Sequence, residues 1–382
     1  MPASRVLHVA SGDLWAGAEV QIYHVLRALH ARPDTIVSAV VLNSGELAER
    51  LRTAGIAVTV IDERTASPLQ LLRGILREVR ATRAGVVHTH RFKENILGSI
   101  AARLSGRALS VRTVHGRPEH ARGKTFRHAV ARGLDSVTTR LQVGVVGVSR
   151  DLCDYLRAEL PRSAVFFVPN GIDTAAVARV AAEPSSYQSL PRWNVALVGR
   201  MVPVKRVDLF LQAAALLSQA QPENYRFVVV GDGPLLGEMR ALADRLGVAQ
   251  EVDFLGFQSN SLSILKQMDC LVVSSDHEGL PMVVLEALSL GVPVVAHSVG
   301  GLPEVLEGVA GQRLVTQHTP QGYATAIAEL AASDRAVSEG IPSGGEPRRR
   351  ECQLPADFEI SHTAAAYAAL YRDLLAKAGL RT

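Results

Sequence analysis

From Arg5 onward the chain alternates short runs of Val, Ile and Leu with longer segments whose apolar residues recur at helical spacing. A short apolar run without polar alternation suits a strand buried on both faces, and parallel strands need a crossover of a dozen or more residues, which the helical segments supply. The chain is therefore expected to be α/β, with doubly wound parallel sheets. Strands are expected at 6–10, 36–42, 57–61, 86–90, 109–115, 143–148 and 165–169, with helices starting near Ala18, Glu46, Pro68, Glu94, Lys124 and Asp151. A second series is expected at 194–198, 226–230, 252–255, 270–273 and 292–296.

At 382 residues the chain exceeds one typical core and suits two domains. The stretch between the two strand series holds Gly171, Pro184 and Pro191 and reads as a linker. The expected division is a first domain at 1–172, a linker at 173–192, a second domain at 193–360 and a last helix at 361–382. That helix carries Tyr367, Leu370, Tyr371, Leu374 and Leu375 at helical spacing. The cleft between the domains is the expected place for a ligand.

Hydrophobic residues make up 47% of the chain and mean hydropathy is +0.14, yet no apolar run reaches the eighteen residues of a membrane span. The start, MPASRVLHVA, enters a strand at once without the basic and apolar regions of a signal peptide, so a cytoplasmic protein is expected. Cys153, Cys270 and Cys352 lie far apart and suggest neither a disulfide framework nor a zinc site. A net charge of +4 favours anionic ligands. Aromatic residues are only 5%, and no basic patch is laced with them, so nucleic acid is not an expected partner.

The stretch 274–297, SSDHEGLPMVVLEALSLGVPVVAH, reads as a strand end, a polar turn, a helix opening at Pro281 and a further strand. Turns of this kind, at the carboxyl end of a parallel strand and leading into a helix, are where open α/β sheets bind anions. Two acids sit on it, Glu278 in the turn and Glu286 on an otherwise apolar helix, where a carboxylate is costly without a partner. With seven residues between them and Gly279-Leu280-Pro281 after the first, they resemble the E-x7-E signature of retaining glycosyltransferases of the two-domain GT-B type, in particular glycosyltransferase family 4. The resemblance covers nearly the whole chain and implies two Rossmann-like domains facing a cleft, a nucleoside-diphosphate-sugar donor and a glycan or lipid-linked acceptor, in surface polysaccharide or glycolipid assembly.

The resemblance also carries roles onto individual positions. Gly199-Arg200 with Lys205 is similar to the family's diphosphate clamp, although Arg206 stands where a glycine is common; taken alone, Arg200 and Lys205 read more readily as solvated surface cations. Gly279, Leu280, Pro281 and Met282 would hold phosphate or sugar through the backbone, and Glu286 the ribose. Glu278 and His115, the latter in a His-Gly pair with Gly116, would face the transferred sugar. Gly231, Gly256 and Phe257 would shape the base pocket, and Val299 to Glu304 would form a further loop near the phosphates. The loop from Gly12 to Glu19 resembles the family's first glycine-rich loop, with Gly17 toward the donor and Glu19 toward the acceptor, where His88 and His90 are also expected.

Asp276-His277-Glu278 reads better as a turn than as a metal site, and neither metal nor cofactor is expected beyond the donor substrate. Arg73, Arg77, Arg80 and Arg83 form a stripe along one helix, with Lys124, Arg127 and Arg132 on another. Such a surface suits an anionic membrane, and equally a solvated face. Ser338 to Pro347, with Arg348 to Arg350, reads as an exposed loop. A sugar-nucleotide epimerase of similar fold and a non-enzymatic two-domain sugar-binding protein stay open as alternatives.

Overall fold

The computed structural model describes residues 3–12, 15, 17–117, 137–339 and 354–380. It divides into two compact units, one formed by Met1–Ile172 with Ala356–Thr382 and the other by Asp173–Pro355.

The first unit holds a seven-stranded sheet: β1 (Ser4–Ala10), β2 (Thr35–Val41), β3 (Ala57–Val60), β4 (Val86–Thr89), β5 (Leu109–Val114), β6 (Gly144–Gly147) and β7 (Val165–Phe167). All pairings are parallel and the order is β3-β2-β1-β4-β5-β6-β7, so the winding reverses between β1 and β4. Strand alternation sends Leu7 and Val9 to one apolar cluster and Val6 and Ala10 to another. The second cluster is closed by the last helix, Ile360–Lys377, through Tyr367, Leu370, Tyr371, Leu374 and Leu375.

The second unit holds β8 (Trp193–Val198), β9 (Tyr225–Val230), β10 (Val252–Gly256), β11 (Cys270–Val273), β12 (Val294–His297) and β13 (Arg313–Val315). The order is β10-β9-β8-β11-β12-β13, again all parallel, with the reversal between β8 and β11. The three-residue strand β13 was too short to stand out in the sequence.

The stretch read as a linker, 173–192, belongs to the second unit and contains a helix, Thr174–Ala181. Asp173 caps it by accepting from the Ala176 amide at 2.8 Å, and Val177 and Ala181 are buried. Alanine-rich composition without a strong apolar stripe hid that helix. Among the described residues no helix is long and apolar enough to cross a membrane. The helix Pro320–Glu339 takes in Ser338, which the sequence placed in a loop. The rest of that loop, Arg348 to Arg350, Cys352 and the group Lys124, Arg127 and Arg132 fall outside the described residues.

Candidate functional site

The reversal between β8 and β11 is where an open sheet parts its loops and leaves room at the strand ends. Gly199 and Arg200 follow β8, the latter exposed, and a 3-10 turn at Pro203–Lys205 carries Lys205. Ser274 to Gly279 follow β11. Several bonds stitch the two loops together. The Asp276 amide donates to the Val204 carbonyl at 2.9 Å, and the Ser274 hydroxyl lies 2.9 Å from the Lys205 carbonyl and 3.0 Å from that of Arg206.

The side chains meet above this backbone. Lys205 Nζ donates to Glu278 Oε1 at 2.6 Å, with the two side chains 26% and 12% exposed, and the Ser275 hydroxyl donates to the same oxygen at 2.6 Å. Arg206 stands in the left-handed region (φ 48°, ψ 46°), which explains why a glycine suits this position. Its guanidinium grips Asp208 at 2.9 and 3.0 Å and reaches Asp276 at 3.0 Å, so the side chain has its own ties where a glycine would have none. On the far side of Asp276, His318 Nε2 lies 3.1 Å from the carboxylate and the His318 ring stacks on His297 at 3.8 Å.

The helix Met282–Ser289 follows, with Pro281 as its N-cap. Pro281 has no N–H and supplies no donor, so the leading amides come from Met282 onward. Glu286 lies one turn along, part-buried, and desolvation pushes its carboxyl up to about 7. Gly300 (φ 58°) lets the next loop come so close that a Cβ would overlap the Glu278 carbonyl, and the Gly301 amide donates to Gly279 O at 2.7 Å. Gly231 is there for packing, since a Cβ would overlap the Gly199 carbonyl. Gly256 (φ 66°) ends β10 in open space, and Phe257 beside it is 66% exposed.

The first unit builds a different constellation at its own reversal. His8 on β1 and His88 on β4 are register partners, His90 follows two residues on, and Thr113 and His115 lie on and just past β5. Period-two alternation puts all of them on the face covered by the helix Ile360–Lys377. His8 Nδ1 lies 3.0 Å from His90 Nε2, and His90 Nδ1 lies 3.3 Å from His115 Nε2. Burial depresses every one of these imidazoles: His8 to about 3, His115 to about 4, and His88 and His90 well below the ordinary value.

This placement corrects one expectation. His88 is fully buried, with Nδ1 2.5 Å from the Tyr371 hydroxyl and Nε2 2.8 Å from Thr113 Oγ1, so neither nitrogen can meet an acceptor substrate. His90 is 7% exposed and likewise bonded to other imidazoles. Glu19, in the first turn of the helix Gly17–His30, is buried and paired with Arg91, while Gly17 is exposed. Sequence reasoning missed His8, whose signal was a histidine inside the apolar run VLHVA, and Glu94, a buried acid that accepts from the Ser11 hydroxyl. It also missed His297 and His318, which no local pattern marks.

Two family models match the chain: Glycosyltransferase Family 4 over residues 15–176 and Glycosyl transferases group 1 over residues 192–333. Among curated relatives, a D-inositol 3-phosphate glycosyltransferase of Mycolicibacterium gilvum is 40% identical over 37% of the chain and 32% of its own length. The Escherichia coli UDP-Gal:alpha-D-GlcNAc-diphosphoundecaprenol alpha-1,3-galactosyltransferase is 27% identical over 61% of the chain and 62% of its own. The aligned region thus spans less than two thirds of either relative. Among solved structures, Anabaena HepE in complex with UDP and glucose superposes with a TM-score of 0.77 at 19% identity, covering 97% of this chain and 100% of that one. The likeness is one of fold, over 97% of this chain.

Proposed function

The chain belongs to the family 4, group 1 glycosyltransferases, and from that premise we propose that it moves a sugar from a nucleoside diphosphate to a glycan or lipid-linked acceptor, with retention of anomeric configuration and without a metal ion. The observation that carries this reading is the meeting of Lys205 with Glu278 at the reversal point of the second sheet, one helical stretch before Glu286. Lys205 from the loop after β8, with Glu278 and Glu286 from the turn and helix after β11, thus supply a cation for the diphosphate, an acid for the sugar and an acid for the ribose.

In the proposed reaction the bond between the anomeric carbon and the diphosphate oxygen breaks, and the leaving group takes the electron pair. Lys205, Arg200 and the first amides of the helix Met282–Ser289 counter the charge that grows there. Glu278 gives up Lys205 to the phosphate and turns to the sugar, and exposed Phe257 offers a face for the base. The acceptor hydroxyl attacks the anomeric carbon on the face that the diphosphate leaves and passes its proton to the departing diphosphate oxygen, so the configuration is retained. The relatives support the class of substrate by name: one acts from UDP-Gal onto a diphosphoundecaprenol-linked sugar, and one neighbour holds UDP and glucose. The exposed row Arg73, Arg77 and Arg80 on the helix Pro68–Ala81, with Arg83 just beyond it, suits a peripheral position on an anionic membrane where such acceptors lie.

The test is incubation of the purified protein with UDP-, GDP- and ADP-glucose, with and without EDTA, followed by the release of nucleoside diphosphate. Release from one donor, insensitive to EDTA and lowered about a hundredfold in Lys205→Ala, is expected. With an acceptor found, the product's anomeric coupling constant should match the donor's. Tight donor binding with no release would overturn the reading in favour of a sugar-binding protein.

A further inference from the structure

The buried imidazoles of the first unit form a chain whose order of protons can be worked out. His8, His90 and His115 are linked in that order at 3.0 and 3.3 Å. The two terminal nitrogens, His8 Nε2 and His115 Nδ1, are buried and have no protein partner. His88 stands beside the chain, stacked on His90 at 4.7 Å, but its nitrogens are engaged with Tyr371 and Thr113.

Because burial keeps the rings neutral, each carries one N–H and one lone pair, and two hydrogen bonds in series allow only two orders. In one, every ring is protonated on Nδ1: His8 donates to His90, His90 donates to His115, and His115 ends in an N–H. In the other, every ring is protonated on Nε2 and His115 ends in a lone pair. The orders differ at the inner end. Both terminal nitrogens are buried, so each order leaves one N–H unpaired: the second leaves it on His8, a ring with no exposure, and the first on His115, the one part-exposed ring, where an arriving ligand oxygen can satisfy it. His115 is the one part-exposed member, so its end of the chain is where a substrate can arrive.

We propose that His90 and His8 are positioning residues that fix His115 in its Nδ1–H form, so that His115 meets the donor substrate as a hydrogen-bond donor to an oxygen. Under this arrangement the two inner histidines never touch substrate. The inference rests on the reading of His115 as facing the transferred sugar.

The same three rings His8, His88 and His90 hold nitrogens within 4.8 Å of one another, a spacing at which a metal ion could bind. Both nitrogens of His88 are already engaged by the Tyr371 and Thr113 hydroxyls, and His8 and His90 are bonded to each other, so the three rings do not hold three free lone pairs for an ion. Hydrogen bonding is the use that their geometry supports.

Long-range 1H–15N correlation spectra of protein labelled at histidine nitrogen read each tautomer directly, without any turnover. His8, His90 and His115 are all expected as Nδ1–H. Finding any of them as Nε2–H or as an imidazolium at neutral pH, or finding a bound metal by elemental mass spectrometry, overturns the proposal. The second arm compares His8→Leu, which removes the first donor of the chain, with His8→Asn, whose amide nitrogen can take the place of Nδ1. Leu is expected to release His115 into a mixture of tautomers and to lower kcat for UDP release from UDP-glucose about tenfold, with KM changed little and with Asn restoring the rate. A merely structural role would lower the melting temperature of His8→Leu while leaving the His115 tautomer and kcat alone, and that result also overturns the proposal. A protein inert toward UDP-glucose refutes that donor assignment, while the spectra still decide the order of protons.

Discussion

Glu286 is a carboxyl whose ionisation falls inside the working range of pH. Its folded value of about 7 lies above the ordinary 4.5, so burial favours the neutral form and ionisation costs stability. The sign follows: this site's contribution is greatest below the unfolded value and declines as pH rises toward 7. Ribose hydroxyls donate to a carboxylate and favour the charged form, so binding lowers the carboxyl's pKa and releases a proton. Affinity for a nucleotide sugar, whose diphosphate does not titrate nearby, should therefore rise about tenfold between about pH 6 and 8 and then level off. His115 at about 4 is silent across that interval. Calorimetry with UDP-glucose at several pH values checks this, and Glu286→Gln should bind more weakly with a flat profile. A flat profile in the wild type would remove Glu286 from the ribose.

At the scale of elements, the donor site depends on one loop being able to lie against another. Gly300 sits at φ 58° with the Glu278 carbonyl where its Cβ would be, so Gly300→Ala must displace the loop that carries Glu278. Gly308, at φ 79° with nothing within 4 Å, is the matched control for left-handed strain alone. Both alanines should cost about 1 to 3 kcal/mol in thermal melts, but only Gly300→Ala should also abolish donor binding. Equal binding by the two variants would show that the contact with Glu278 does nothing for the site. The β11 unit was readable because its signals are local: a buried run, a polar turn, a proline at the helix start and two acids out of place. Pairing of Lys205 with Glu278 was not readable, since only the parallel register of β8 and β11 brings residues 73 positions apart together. The histidine chain was half readable. His88-x-His90 spacing puts both on one face, but His8 joins them through strand pairing that no local pattern announces.

At the scale of the whole molecule, the first unit is discontinuous in sequence, closed by residues that follow the second. The helix Ile360–Lys377 contributes Tyr367, Leu370, Tyr371, Leu374 and Leu375 to its core, and the Tyr371 hydroxyl satisfies buried His88. Each such large side chain is worth about 2 to 5 kcal/mol, so losing five together matches or exceeds the about 5 to 15 kcal/mol that holds a domain folded. Among the described residues, the core cluster of the second unit around Phe210, Phe227 and Tyr323 includes no residue of that helix. A chain cut after Pro355 should therefore keep one cooperative calorimetric transition, that of 173–355, while amides of β1, β4 and β5 exchange at unfolded rates. A separate piece spanning 173–355 should melt at the same temperature. If the cut chain instead shows two transitions and protected amides in β1, the last helix is an accessory to a core that was already complete, and the histidine face it covers would have to be stabilised by the sheet alone.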